Sequence, residues 1–130
     1  SQYQKLSEEF NVNIINSSDA IENDYFDLLI FGSCTQYIKD FFDNINNYLF
    51  TSELILFTHT PLSKSQSFIS NQYTDYKGKQ NVRSFEKLIY LMKKNNYDLI
   101  FKSILPPEFA SVDNDRVNET IYANLLFRKI

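Results

Sequence analysis

The sequence predicts an α/β layered fold in which helices cover a mainly parallel sheet of four or five strands. Residues 26–32 and 53–57 are short, almost continuous apolar runs, as expected of strands buried on both faces. Segments with helical spacing of apolar residues follow the first run and precede a third strand-like segment, residues 97–105. Strands that alternate with helices are joined by right-handed crossovers into a parallel sheet.

The N-terminal segment predicts short elements. Residues 3–9 are polar with a helical leaning, and residues 12–15 form a short strand candidate. Ser18 or Asp19 then caps a short helix that extends to about Glu22, because both side chains accept hydrogen bonds from free backbone N–H groups.

The strand at residues 26–32 leads through Gly-Ser-Cys-Thr into a predicted amphipathic helix. The apolar residues at helical spacing are Ile38, Phe41, Phe42, Ile45, Tyr48 and Leu49, which form one face. The next strand, residues 53–57, is predicted to stop at Thr60 and Pro61. Proline lacks a backbone N–H and restricts the residue before it.

The second half begins with a polar connection, residues 62–82, which predicts a long loop of the kind that is often functional. Ser84 caps a helix whose apolar face comprises Phe85, Leu88, Ile89 and Met92. Strands at residues 97–105 and 120–128 follow with no helix between them. The last strand is therefore predicted to pair in antiparallel orientation.

Composition excludes several classes of protein. The chain has 130 residues with a net charge of −3 and no basic run, which argues against nucleic-acid binding by phosphate neutralisation. The apolar runs are too short for a membrane span. The single cysteine excludes an internal disulfide and favours a reducing, cytoplasmic compartment. With only one histidine beside it, zinc sites built from clusters of these residues are also excluded.

The glycine count limits the cofactor sites. Gly32 and Gly78 are the only two glycines, so neither a G-x-G-x-x-G motif nor a P-loop is present. Any cofactor that needs a glycine-rich cradle must obtain it from outside these residues.

Four segments in order carry a resemblance: FDLLIFGSCTQYI, ILFTHTP, Gln72-Tyr73 and YANLLFRK. Together they resemble the C-terminal part of Rossmann-like S-adenosylmethionine-dependent methyltransferases. They are most similar to the methyltransferases found with surface-polysaccharide genes, whose corresponding motifs read like DxxxxSGxLQYL and RTP. His59 stands where that family has arginine, so the role of the arginine does not transfer to it.

The resemblance implies a partial Rossmann-like fold. Residues 1–130 would be a single acceptor-side unit, the C-terminal half of a domain with strand order 3-2-1-4-5-7-6. The strand at residues 12–15 would then be third and the strand at residues 26–32 fourth. The glycine-rich loop and the ribose-binding acidic residue of the family would lie before Ser1.

The function implied by the resemblance is methyl transfer from S-adenosylmethionine to a small-molecule or sugar acceptor, without a metal. Ligands bind at the carboxyl ends of strands in open α/β sheets. Cofactor contacts are expected from Gly32, Ser33, Cys34, Gln36 and Tyr37, and acceptor contacts from Thr60, Gln72 and Tyr73. His59 is the candidate general base, because histidine changes charge near neutral pH.

Each assignment has a structural alternative. Gly32 either lets a ligand approach the backbone closely or allows a tight turn. Ser33 and Thr35 either contact a ligand or cap a helix. His59 is either a catalytic base or a hydrogen-bonded structural residue. Gln36 and Tyr37 could instead be a surface polar residue and a core aromatic, and Gln72 and Tyr73 an exposed loop. Cys34 beside His59 could form a nucleophile pair, but a lone cysteine is more often a buried hydrophobe.

A non-catalytic interaction module that kept the half-fold is the alternative function. As a methyltransferase the chain alone is expected to have little or no activity, because the glycine-rich loop is missing. The charge-free run LLIF in residues 26–31 would have an unpaired edge, which predicts a homo-oligomer. The coding sequence upstream distinguishes the two functions, since a glycine-rich loop there would favour the enzyme.

Overall fold

A computed structural model describes residues 25–49, 52–73 and 77–130. In these residues the strands are β1 (Phe26–Gly32), β2 (Ser52–Ser63), β3 (Phe68–Tyr73), β4 (Lys77–Ser84), β5 (Tyr97–Leu105) and β6 (Thr120–Lys129). The α-helices are α1 (Phe41–Asn44), α2 (Asn46–Leu49) and α3 (Phe85–Lys94). Short 3-10 turns cover Thr35–Tyr37, Pro107–Ala110 and Asn114–Glu119. The elements predicted within residues 3–22 lie outside the described residues.

The strands form one sheet in the order β3-β4-β2-β6-β5, with β1 paired to β2. Both β1 and β4 run parallel to β2 and share one of its edges, β1 along the first half and β4 at residues 62–63. β6 occupies the other edge and lies antiparallel between β2 and β5. The predicted antiparallel last strand is confirmed.

The expectation of a mainly parallel sheet of four or five strands is wrong. The described sheet has six strands, and its antiparallel pairings, β2 with β6, β5 with β6 and β3 with β4, outnumber the two parallel ones. The additional strands arise because the predicted loop at residues 62–82 contains the β3–β4 hairpin. These strands are rich in polar residues, so the hydrophobic pattern gave no signal for them.

β2 continues through Pro61, where the sequence predicted its end. On the edge shared by β1 and β4, pairing with β1 reaches Thr58 and pairing with β4 begins only at Leu62. Pro61 lies in this gap, so its missing N–H removes no ladder bond on that edge. On the other edge Pro61 is aligned with Tyr122 of β6.

The helix predicted after β1 is broken into a 3-10 turn and two helices of four residues each. Ile38 is extended and Asp40 has a left-handed backbone with φ 52°, and both conformations interrupt a helix. The predicted apolar face still contributes to the core, since Phe41 and Ile45 are buried. Helix α3 begins as predicted, where the Lys87 N–H donates to the Ser84 hydroxyl oxygen at 3.3 Å.

The main core packs aromatic and aliphatic side chains of the sheet against α1 and α3. Phe31 of β1 stacks on Phe57 of β2 with ring centroids 5.1 Å apart, and Phe57 meets Phe127 of β6 at 5.8 Å. These ring contacts stabilise the packing of β1, β2 and β6 on one face of the sheet. Within the described part of the chain, no helix is long and apolar enough to cross a membrane.

Candidate functional site

The carboxyl end of β1 lies beside Thr58 and His59 in the middle of β2, close to the point where the sequence predicted that β2 would end. Gly32 is aligned with Thr58, and the Ser33 N–H donates to the Thr58 carbonyl at 3.0 Å. Ser33 and His59 both have φ 49°, a left-handed conformation that is uncommon for residues other than glycine. Backbone outliers of this kind concentrate at functional sites. The end of β1 and the adjoining part of β2 around His59 are therefore the candidate site.

His59 is exposed and lies at an irregularity in β2. The ladder with β6 shifts register between Phe57 and Thr60. The His59 N–H donates to the side-chain oxygen of Asn124 at 2.8 Å, and its ring centroid lies 5.9 Å from that of Tyr122. The imidazole is therefore accessible to a ligand and adjoins a phenol.

Tyr122 is a site residue that the sequence analysis missed. Partial burial raises the pKa of its phenol, while a hydrogen bond from the Ser33 side chain acts in the opposite direction. The phenol thus connects the end of β1 to His59 on β2. One signal could have found it: an antiparallel last strand begins at the edge where its parallel neighbours end, and Tyr122 is near that beginning.

Gly32 is exposed and does not have a positive φ. The turn after β1 is made by Ser33, so it does not require glycine at position 32. A Cβ on Gly32 would have the Thr58 hydroxyl as its nearest neighbour, at 3.8 Å, an ordinary contact. Close approach of a ligand to this backbone stays a prediction.

The residues after Ser33 differ in accessibility. Cys34 is half-buried against the core, and burial raises the pKa of its thiol, which opposes the thiolate that a nucleophile needs. Gln36 is only 4% exposed, and its amide donates to the Ser33 carbonyl at 3.1 Å. Tyr37 is 49% exposed. The 3-10 turn has Cys34 at its N-cap and no side-chain cap, so Ser33 and Thr35 do not act as caps.

The predicted acceptor residues are not gathered at His59. Thr60 is 3% exposed, and its hydroxyl donates to the Thr58 carbonyl at 3.2 Å. Gln72 lies in the hairpin opposite Gly78, and this hairpin adjoins β2 on the edge opposite β6. Tyr73 pairs with Lys77 through the backbone. Contact of these residues with an acceptor stays a prediction.

The hairpin instead holds the turn of residues 33–38, here called the Ser33 turn. Arg83 donates to the carbonyls of Thr35 and Ile38, both at 2.6 Å. Asn81 donates to the Gln36 carbonyl at 3.1 Å. The hairpin is therefore a structural support of the site. Among the described residues no group of three or more His, Cys, Asp or Glu side chains is placed to hold a metal ion.

Neither a protein-family profile nor a curated protein sequence matches the chain. Among solved structures the chain is similar to an O-methyltransferase from the trans-AT PKS multienzyme of Brevibacillus brevis, in complex with S-adenosyl-L-homocysteine. The TM-score is 0.70 at 11% identity, over 97% of this chain and 53% of that one. It is also similar to an S-adenosylmethionine-dependent methyltransferase from Clostridium acetobutylicum ATCC 824, with a TM-score of 0.51 at 13% identity, over 97% of this chain and 69% of that one. The shared feature is the fold, and the chain spans about half the length of the Brevibacillus enzyme.

Proposed function

We propose that this chain is the acceptor-side half of an S-adenosylmethionine-dependent methyltransferase. The observation that carries the proposal is the order β1-β2-β6-β5, in which the last strand lies antiparallel between its two neighbours. This order corresponds to the second half of the methyltransferase sheet, 4-5-7-6. Both of the solved structures named above are methyltransferases, which supports the same assignment.

The turn after β1 would contact one side of the cofactor. Gly32 is exposed at the end of β1, so a ligand can reach its backbone without meeting a side chain. Ser33 and Cys34 follow it, and Tyr37 is 49% exposed nearby in sequence. With two glycines, the chain offers no glycine-rich cradle, so the remaining contacts would come from outside these residues.

S-adenosylmethionine, when bound, supplies a methyl group on a positively charged sulfur. The chain's own residues have to align the acceptor and remove its proton. His59 is the group that would take the proton of an acceptor hydroxyl as its oxygen forms the new bond to carbon. Tyr122 and Ser33 would orient that hydroxyl, since both carry hydroxyls at the same edge as His59.

The acceptor class that fits best is a neutral molecule with hydroxyl groups, such as a sugar. The phenol of Tyr122 adjoins His59, and the hydroxyl of Ser33 hydrogen-bonds to that phenol. The ring of Tyr37, in the turn after β1, is exposed. Hydroxyls hydrogen-bond to the first two, and the apolar face of a sugar packs against an aromatic ring. The link to surface polysaccharides rests on the sequence resemblance.

The role of His59 is tested by His59→Ala in the polypeptide encoded by the complete gene. We expect turnover with a panel of neutral sugar acceptors to fall about 100-fold or more, with cofactor affinity changed little. Transfer of tritiated methyl groups measures turnover, and calorimetry with S-adenosylhomocysteine measures affinity. Unchanged turnover at saturating substrate would assign His59 a structural role.

The half-domain assignment has its own test. The 130-residue chain alone should show no calorimetric binding of S-adenosylmethionine at micromolar concentrations, whereas the complete polypeptide should bind it. Micromolar binding by the chain alone would overturn this assignment. Absence of binding by the complete polypeptide would favour the non-catalytic interaction module.

A further inference from the structure

We propose that Asn124 is a positioning residue, which fixes the left-handed backbone of His59 and so directs the imidazole towards Tyr122. The role of that imidazole as a base rests on the proposed function, whereas its placement does not. The Asn124 side-chain oxygen accepts the His59 N–H at 2.8 Å across 65 residues of sequence. This is the bond that a backbone carbonyl supplies elsewhere in a ladder.

The register of β2 and β6 shows why a side chain makes this bond. Phe57 is aligned with Leu125, and Thr60 is aligned with Ala123. Between these pairs, Thr58 and His59 on β2 face Asn124 alone on β6. Two residues opposite one is a β-bulge, which leaves a backbone group unpaired and re-aims a side chain. Asn124 is the residue opposite the bulge, and its amide supplies the missing acceptor.

Asn124 is itself held in the orientation that this bond needs. Its amide nitrogen donates to the Ser103 hydroxyl at 3.2 Å, and Ser103 is the residue aligned with Asn124 on β5. With the nitrogen committed to β5, the oxygen faces β2 and His59. An apolar side chain of similar size fills the same space but offers His59 no acceptor.

The consequence for the site is a fixed imidazole. A left-handed residue other than glycine stays in that conformation only when its surroundings over-determine it. The hydrogen bond that the His59 N–H donates to Asn124 provides this restraint, together with the Tyr122 ring, whose centroid lies 5.9 Å from that of the imidazole. A base has to be held to within a fraction of an ångström of the productive geometry, so loss of Asn124 should impair His59 without changing its chemistry.

The placement is tested by NMR, which the single histidine of the chain simplifies. Asn124→Leu should speed hydrogen exchange of the His59 amide at least about tenfold, because its hydrogen bond is lost. It should also move the imidazole proton signals, since the Tyr122 ring no longer lies beside them. Asn124→Asp keeps an acceptor oxygen for His59, and the Ser103 hydroxyl can donate to its other oxygen, so this variant should retain the wild-type exchange rate. If Asn124→Leu does not fold, Ser103→Ala is measured instead, with changes in the same direction.

The kinetic measurement separates this proposal from the proposed function. In an active complete polypeptide, Asn124→Leu should lower kcat about tenfold or more while the acceptor KM stays within twofold, and Asn124→Asp should restore kcat. If the folded variant leaves the His59 amide exchange and imidazole signals as in wild type, the positioning role is overturned. If those signals change but wild type transfers no methyl group, the positioning role is supported and the proposed function fails.

Discussion

The guanidinium of Arg83 donates to the backbone carbonyl of Thr35 at 2.6 Å, and the two residues are 48 positions apart. Arg83 also contacts the Ile38 carbonyl at 2.6 Å and lies 5.6 Å from the ring centroids of Phe41 and Phe42. One arginine of the hairpin therefore fastens the segment that follows β1. Because the Ser33 turn forms one side of the candidate site, the hairpin supports the site through these contacts.

Arg83→Lys should loosen the Ser33 turn. A lysine cannot reproduce two hydrogen bonds in a fixed planar fork, and hydrogen bonds from charged groups contribute about 1.5–3 kcal/mol each. Arg83 is half-buried, so solvent partly screens these bonds, and we expect the free energy of unfolding to fall by about 1–2 kcal/mol. Hydrogen exchange at residues 35–38 should accelerate. Arg128→Lys, at an exposed arginine, is the matched control and should change neither quantity.

His59→Gly should stabilise the protein while it removes the candidate base. Glycine adopts φ 49° without the steric cost that a side chain brings, so the free energy of unfolding should rise by about 1 kcal/mol. Urea denaturation measures this change. His59→Ala keeps the Cβ and its strain, and should therefore be less stable than His59→Gly. Equal stability of the two variants would show that the His59 backbone is not strained.

Gly32→Ala should leave the fold intact and weaken cofactor binding by the complete polypeptide. The added Cβ meets nothing closer than 3.8 Å, and loss of glycine flexibility in the unfolded chain contributes about 0.4–1 kcal/mol of stability. Gly78→Ala is the control, because no atom lies within 4 Å of its Cβ position. It should leave the affinity for S-adenosylhomocysteine unchanged. If the two variants bind equally well, Gly32 is not a cofactor contact.

Stability should decline in alkaline solution through Tyr97. The Tyr97 side chain is buried, its hydroxyl donates to the Ser52 carbonyl at 2.6 Å, and desolvation raises its pKa. The folded state thus holds this proton more tightly than the unfolded state. Its contribution is fully present below the unfolded pKa, near pH 10, and is lost as the pH rises towards the folded pKa. Tyr97→Phe should reduce the decline, and Tyr90→Phe, at a residue 64% exposed, should not.

The predicted oligomer is tested at β1. Among the described residues β1 pairs only with β2, and its side chains Leu28 and Ile30 are 43% and 55% exposed. An apolar strand with a free edge pairs readily with another chain, so light scattering of the chain should report a dimer or larger species. Ile30→Lys should shift it towards a monomer. A wild-type monomer of 15.4 kDa at micromolar concentrations would contradict this prediction.

The sequence determined the elements whose signals are local. Continuous apolar runs marked β1 and the first part of β2, and the structure confirms both strands, as it confirms the strand predicted at β5. The inference that β1 is buried on both faces is wrong, since Leu28 and Ile30 are exposed. Ser84 marked the start of α3 through a side-chain cap only three residues from its partner. The proximity of Gly32, Ser33 and His59 was also predicted from the sequence, although β2 continues beyond His59 to Ser63.

The tertiary structure alone decided the parts that depend on distant partners. The hairpin strands β3 and β4 are mostly polar, so they carry no apolar pattern that a sequence could reveal. They are stabilised by the backbone hydrogen bonds between them and by their contacts with the Ser33 turn. Likewise the bulge at His59 exists because β6 supplies Asn124 opposite two residues of β2. Hydrophobic periodicity reports which face of an element is buried. Strand register and side-chain hydrogen bonds, in contrast, arise only when strands pair, and they determine the positions of His59 and Tyr122.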